Sequence, residues 1–249
     1  MNAGFKAKLI GGARLIGTIM TLPAPELAEI AAGAGFDWLF LDMEHGLLDI
    51  AGAQRMAQAA GDCPCLVRVP ANDPVWIKKA ADIGAAGLIF PNVKSAEEAR
   101  KAVAEARYPP DGVRSVGIGR AHRYGAGFGD YVEKANKDTT LVAQVEHIEG
   151  VRNVEKILAT PGVDAVFVGP FDLSASMGKP GRTGDPDVRQ AIAAVRLACE
   201  SRHVPAGIFA PDEEAARSAF GEGFTLVCIG MDVTIYGGAA RGAASRLKG

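Results

Sequence analysis

Eight short apolar runs, separated by Ala-rich stretches with helical spacing, limit what this chain can fold into more than any other feature. They are Leu15 to Met20, Trp38 to Asp42, Cys65 to Val69, Gly87 to Phe90, Leu141 to Glu146, Ala165 to Gly169, Val204 to Phe209 and Thr225 to Ile229. Continuous rather than alternating hydrophobicity marks strands covered on both faces, as in a parallel sheet with crossover helices. Helical patterns fall between them at Pro25 to Ala34, Ile50 to Ala60, Pro74 to Ile83, Ala96 to Ala106, Val151 to Ala159, Pro186 to Arg202 and Asp212 to Phe220. Several open on helix-start signals, with Asp73 before Pro74, Ser95 before Ala96 and Asp185 before Pro186. Eight such units, in a chain of 249 residues, give the expectation of an α/β fold: a (β/α)8 TIM barrel occupying one domain over residues 1–249. Asp232 to Leu247 then reads as an extra C-terminal helix that caps the barrel or reaches another subunit.

One connection is too long to be ordinary. From Arg107 to Asp138 the chain is Gly- and Pro-rich and carries Arg114, Arg120 and Arg123, the expected makeup of a lid, a binding loop or a subunit contact. Its Gly-rich turns do not link a strand to a helix, which argues against a dinucleotide site. The formal charge of −2 gives no global field toward nucleic acid or an anionic membrane. No apolar run approaches the roughly 18 residues that span a bilayer. Cys63, Cys65, Cys199 and Cys228 show no paired C-x-x-C spacing, and no secretory leader is evident, so reduced cysteines in a cytoplasmic protein are expected.

In a barrel of this kind the strand interiors are apolar and chemistry gathers at the C-terminal ends of the strands. Polar residues there are therefore the informative ones: Asp42, Glu44 and His45 after the second strand, Arg68 on the third, Gln144 and Glu146 on the fifth, and Asp172 after the sixth. Any one of them could belong to a structural ion-pair network, but so many on one rim point to a site. Glu146 and Asp172 offer hard oxygen ligands suited to Mg or Mn, with waters or substrate oxygens completing an octahedron. His45 would serve either as a third ligand or as a base, with Asp42 and Glu44 beside it to set its tautomer. No proposed strand contains a lysine, so a Schiff-base mechanism has no interior candidate, and carbonyl activation falls to a metal.

Four segments carry a resemblance. Gly35-Phe-Asp-Trp-Leu-Phe-Leu-Asp-Met-Glu-His-Gly46, Val67-Arg-Val-Pro70, Pro91-Asn-Val93 and Gly169-Pro-Phe-Asp-Leu-Ser-Ala-Ser-Met-Gly178 resemble, in order and spacing, the HpcH/HpaI family of class II pyruvate aldolases, of the 4-hydroxy-2-oxoheptanedioate or 2-keto-3-deoxy acid type. The resemblance implies reversible retro-aldol cleavage of 4-hydroxy-2-oxo acids to pyruvate and an aldehyde, dependent on a divalent metal (Mg, Mn or Co). It implies Glu146 and Asp172 as metal ligands, His45 as base, and Arg68 as the group stabilising the enolate, beside Asp42. Gln144, Gly169, Pro170 and Phe171 would contact substrate. Asp82 matches an acid that raises the basicity of the histidine, commonly across a subunit interface, so a homo-oligomer, a trimer or hexamer, is implied. Phe171 stands where the family usually has a small residue, which bears on the aldehyde accepted. A citrate-lyase-β or malyl-CoA-lyase type enzyme is the alternative, although no basic groove for a CoA thioester is evident, and a non-catalytic metabolite-binding barrel is the non-enzymatic one.

Overall fold

A parallel strand pair needs a crossover, and an amphipathic helix in that crossover buries its apolar face on the outside of the sheet. The computed structural model describes residues 3–248 and shows this unit repeated until the sheet closes. Helix α1 (Ala3–Ile10) precedes β1 (Leu15–Met20), α2 (Pro25–Gly33), β2 (Trp38–Asp42), α3 (Ile50–Ala59), β3 (Cys65–Arg68), α4 (Pro74–Asp82), β4 (Gly87–Phe90) and α5 (Ala96–Ala106). The second half runs α6 (Phe128–Asp138), β5 (Thr140–Val145), α7 (Ile148–Arg152), α8 (Val154–Leu158), β6 (Ala165–Val168), α9 (Pro170–Ser176), α10 (Pro186–Ser201), β7 (Ala206–Ala210), α11 (Glu213–Glu222), β8 (Leu226–Met231) and α12 (Asp232–Lys248). The strands lie in sequence order, all parallel, and β8 returns to pair with β1, Leu226 opposite Leu15. The expected α/β barrel with its C-terminal helix is therefore the observed one. Residues 1, 2 and 249 of the expected domain lie outside the described residues.

Alternation along the strands divides the apolar residues into two cores. Leu15, Ile19, Trp38, Phe40, Leu66, Ile89, Val142, Phe167, Leu226 and Cys228 fill the barrel interior. Leu39, Leu41, Val67, Leu88, Leu141, Val166 and Val227 face outward onto the helices. The interior depends on pairing large with small side chains. Trp38 stacks on Phe40 with ring centroids 6.0 Å apart, and Phe167 meets Phe40 edge-on at 5.7 Å. Gly17 makes room for that cluster, since a Cβ there would lie 2.4 Å from the Trp38 ring.

The chain departs from expectation in its connections. Helix α1 lacks the capping and periodicity that announce a helix, yet it sends Phe5 and Leu9 into the interior cluster beside Leu15 and Trp38. The long segment after α5 is not irregular to its end, because Phe128–Asp138 forms α6. Its contact residues Phe128, Tyr131 and Ala135 have helical spacing, which the Gly-rich stretch before them obscures. The expected helix Val151 to Ala159 is two short helices, α7 and α8, divided at Asn153. Of α12, only Asp232 is buried among its described side chains. No helix among the described residues is long and apolar enough to cross a membrane.

Gly17→Ala is expected to destabilise the protein by about 1–3 kcal/mol through overpacking against Trp38. Urea unfolding measures this, and an unchanged midpoint would show that the interior yields to the added methyl.

Candidate functional site

The register of β2 against β3 sets Asp42 opposite Arg68 at the C-terminal rim. Both are buried. Arg68 donates through Nε to Asp42 Oδ1 at 2.9 Å and through Nη2 to Oδ2 at 2.7 Å, and its guanidinium lies 5.1 Å from the centroid of the Phe40 ring below it. Burial works to raise the Asp42 carboxyl, but the Arg68 bonds and charge overcome it, with the amides of His45 and Glu44, and hold it below the ordinary carboxylate range. Two of the three guanidinium nitrogens are committed in this way. Nη1 makes no hydrogen bond among the described residues.

Facing this pair is an excess of carboxylate. Glu146, just past β5, is buried, and its two oxygens are held apart: Oε1 accepts from the Asn92 amide at 2.8 Å and Oε2 from Gln144 Nε2. Burial pushes the Glu146 carboxyl up to about 7; Arg68 opposes this, while Glu44 and Asp172 add to it. Glu44 is also raised, first by burial, and its Oε2 stands 3.3 Å from Arg68 Nε without a hydrogen bond. Asp172 occupies the first turn of α9 and is exposed. Gly169 lies against Glu146 so closely that a Cβ would come within 2.5 Å of Oε2. Pro170 starts α9, and Phe171 leans against Phe209 with ring centroids 5.9 Å apart.

His45 completes the rim. Its side chain is 62% exposed, and its nearest ionic neighbour is Glu44, 3.9 Å from Nε2. Asp42, Glu44, His45, Arg68, Gln144, Glu146, Gly169, Pro170, Phe171 and Asp172 are thus brought to one end of the barrel. Asp82 is not. It ends α4, which runs back from the rim, so it lies at the opposite end of its own barrel. There its 25%-exposed side chain pairs with the fully buried Arg114 at 2.6 Å. Arg114 is itself packed against Tyr108 and Tyr131, with ring centroids 4.4 and 5.7 Å from the guanidinium carbon. Arg120 Nη1 donates to Ile83 O at the same end, so this loop does not place Arg114 or Arg120 near the mouth of its own barrel.

Sequence reasoning missed two contributors. Asn92 adopts φ 52° and turns its amide onto Glu146, while Asn72 Nδ2 steadies that turn by donating to Pro91 O at 2.7 Å. Asn92 tolerates this left-handed conformation better than most residues, and that tolerance was the available signal.

Glu146 and Asp172 suit a hard divalent cation. Beyond burial, Glu44 and Asp172 help to raise Glu146, and Asp42 and Asp172 help to raise Glu44, beside a guanidinium with two nitrogens held by Asp42. The buried Gln144 Oε1 has no partner. Among the described residues no three His, Cys, Asp or Glu side chains group to hold an ion by themselves.

The sequence profile of the family described as HpcH/HpaI aldolase/citrate lyase matches residues 16–238. A 5-keto-4-deoxy-D-glucarate aldolase of Shigella dysenteriae serotype 1 is 41% identical over 247 residues, 98% of this chain and 96% of that protein. The crystal structure of an HpcH/HpaI aldolase/citrate lyase family protein from Burkholderia cenocepacia superposes with a TM-score of 0.95 at 38% identity, covering 99% of this chain and 100% of that one. The citrate lyase beta subunit from M. tuberculosis, complexed with oxaloacetate and magnesium, shares the fold at 19% identity, with a TM-score of 0.60 over 90% of this chain and 93% of that one.

The Glu146 carboxyl sets a pH dependence. Unfolded, it titrates near 4.5; folded and metal-free, at about 7. Between these values the folded state binds the extra proton, so stability falls as pH rises, by about 3 kcal/mol in full above pH 7. In chelator, the stability of Glu146→Gln relative to wild type is expected to rise by that order between pH 5 and pH 8 in urea unfolding. A difference independent of pH would contradict the raised carboxyl.

Proposed function

This chain belongs to the HpcH/HpaI aldolase/citrate lyase family and is a carbon–carbon lyase, and on that premise we propose that it cleaves 4-hydroxy-2-oxo acids reversibly to pyruvate and an aldehyde. One observation carries the reading: an uncompensated cluster of carboxylates at the barrel rim beside a guanidinium that is fixed but not fully used. Glu146 and Asp172 would hold a divalent ion, which when bound draws electron density from the keto and carboxylate oxygens of the 2-oxo acid.

The chain's own residues divide the remaining work. Arg68, locked by Asp42, keeps its charge and offers Nη1 to the oxygen on which negative charge develops as the C3–C4 bond breaks. Its orientation is set in advance, so little reorganisation is needed at the moment of reaction. Gln144 has Nε2 committed to Glu146, so it meets substrate through Oε1, as an acceptor from a hydroxyl. His45, exposed in the mouth, takes the proton from the C4 hydroxyl in cleavage and returns it to the aldehyde oxygen in synthesis. The electron pair of the broken bond passes to the pyruvate enolate, whose C3 then takes a proton from solvent.

Two features bear on assembly and specificity. Among the described residues His45 has no close acid other than Glu44, while Asp82 pairs with Arg114 and is partly exposed at the far end of the barrel. Asp82 would therefore reach His45 only from a neighbouring copy, which makes the working form a homo-oligomer. Phe171 and Phe209 place aromatic surface at the mouth and restrict the aldehyde that can enter. The similarity to 5-keto-4-deoxy-D-glucarate aldolases supports a sugar-acid substrate as the first to try.

Chelator-treated enzyme is expected to lose pyruvate release and to regain it with Mg or Mn, with no pyruvate trapped on protein by borohydride. Full activity without metal, or a borohydride adduct on a lysine, would rule the mechanism out.

A further inference from the structure

The ring of His45 has no hydrogen bond of its own among the described residues, so its placement comes from the backbone of the turn that carries it. That turn has two anchors. Asp42 Oδ1 receives the amides of Glu44 at 3.0 Å and His45 at 3.2 Å. Beyond His45, the Leu47 amide donates to Thr21 O at 2.8 Å. Gly46 is wedged between the two, since a Cβ there would lie 2.2 Å from Asp42 O and 3.0 Å from Thr21 O. The first anchor belongs to the rim ion pair. The second is only as firm as Thr21.

Thr21 is the first residue past β1, in a segment with no regular structure of its own. One carboxylate fixes it. Asp232, buried at the root of α12, accepts from the Thr21 and Leu22 amides through Oδ2 at 2.8 and 2.9 Å, and from Thr21 Oγ1 and its neighbour Val233 N through Oδ1 at 2.7 and 2.8 Å. Four donors to one carboxylate form a charge-assisted set, and removing the acceptor leaves partly buried amides without a partner.

We infer that Asp232 is a positioning residue for the reaction: by fixing Thr21 it fixes the His45 turn, so the placement of the base depends on the root of the C-terminal helix. The inference rests on the reading of His45 as base, and a misplacement of the order of 1 Å in such a group can cost about a hundredfold in rate. Asp232 makes no hydrogen bond to any of the rim groups, so its effect on turnover must pass through the turn.

The test compares Asp232→Asn, Asp232→Ala and Thr21→Val with His45→Asn and the double variant His45→Asn/Asp232→Ala, using 5-keto-4-deoxy-D-glucarate as probe. The Asp232 variants should lower kcat about ten- to a hundredfold with the inhibition constant of pyruvate nearly unchanged. In the His45→Asn background Asp232→Ala should cost nothing further, because both act through one group. Thr21→Val, which removes one hydroxyl and keeps the carboxylate, should show the same pattern more weakly and covers the case in which an Asp232 variant fails to fold. Independently of turnover, amide hydrogen exchange of residues 43–48 should quicken in Asp232→Asn while that of the strands stays at the wild-type rate. Turnover near that of wild type, additive losses in the double variant, or unaltered exchange at 43–48 would each overturn the inference. A fully active His45→Asn enzyme would instead remove His45 as base, and the exchange rates would still decide whether Asp232 holds the turn.

Discussion

The buried ion pair between Arg68 and Asp42 is the constraint on which the rest of the rim depends. Two charges taken out of water on adjacent parallel strands are tolerated only when their geometry is near ideal, and a pair of this kind adds little net stability over apolar residues of the same shape. What it supplies is orientation. A bidentate fork fixes the guanidinium plane over Phe40, and the same Asp42 oxygen that takes Arg68 Nε also takes the amides that shape the Glu44–His45 turn. Arg68 and the turn carrying Glu44 and His45 are therefore set by one carboxylate, and that carboxylate is set by the β2–β3 register.

Because two nitrogens of Arg68 are committed to Asp42, it offsets the other acids only in part. Glu44 and Glu146 are both raised, first by burial and further by the charge of Asp172 nearby, with Glu146 pushed up to about 7. A protein that arranges its carboxyls in this way stores an affinity for positive charge, at the cost of stability when that charge is absent. The raised Glu146 and the unpartnered Gln144 Oε1 are two signs of the same incompleteness.

The barrel was legible in the sequence because its signal is carried by burial itself: runs such as Trp38 to Leu41 and Gly87 to Phe90 are apolar throughout since both faces of each strand are covered. The rim acids and Arg68 were legible for the opposite reason, as charges that interrupt such runs. What escaped is what depends on distant partners. Helix α1 is ordered by burying Phe5 and Leu9 under Trp38, and nothing local announces that. Asp232 looks like an ordinary first residue of a helix until Thr21, 211 positions away, is seen to bind it. Arg114 reads as a loop arginine, yet it is fully buried between two tyrosines and Asp82. Asp82 itself was identified by resemblance alone, and in one copy of the chain it stands at the wrong end of the barrel for His45.

Glu146 and Asp172 are proposed as the protein's half of a cation site. Titration of metal-free protein with Mn, followed by the loss of the free-ion electron paramagnetic resonance signal, tests it without reference to any substrate. Wild type should take up one ion per chain, and Glu146→Gln and Asp172→Asn should each abolish that uptake while remaining folded. Uptake by both variants equal to that of wild type would place the ion elsewhere and contradict the claim.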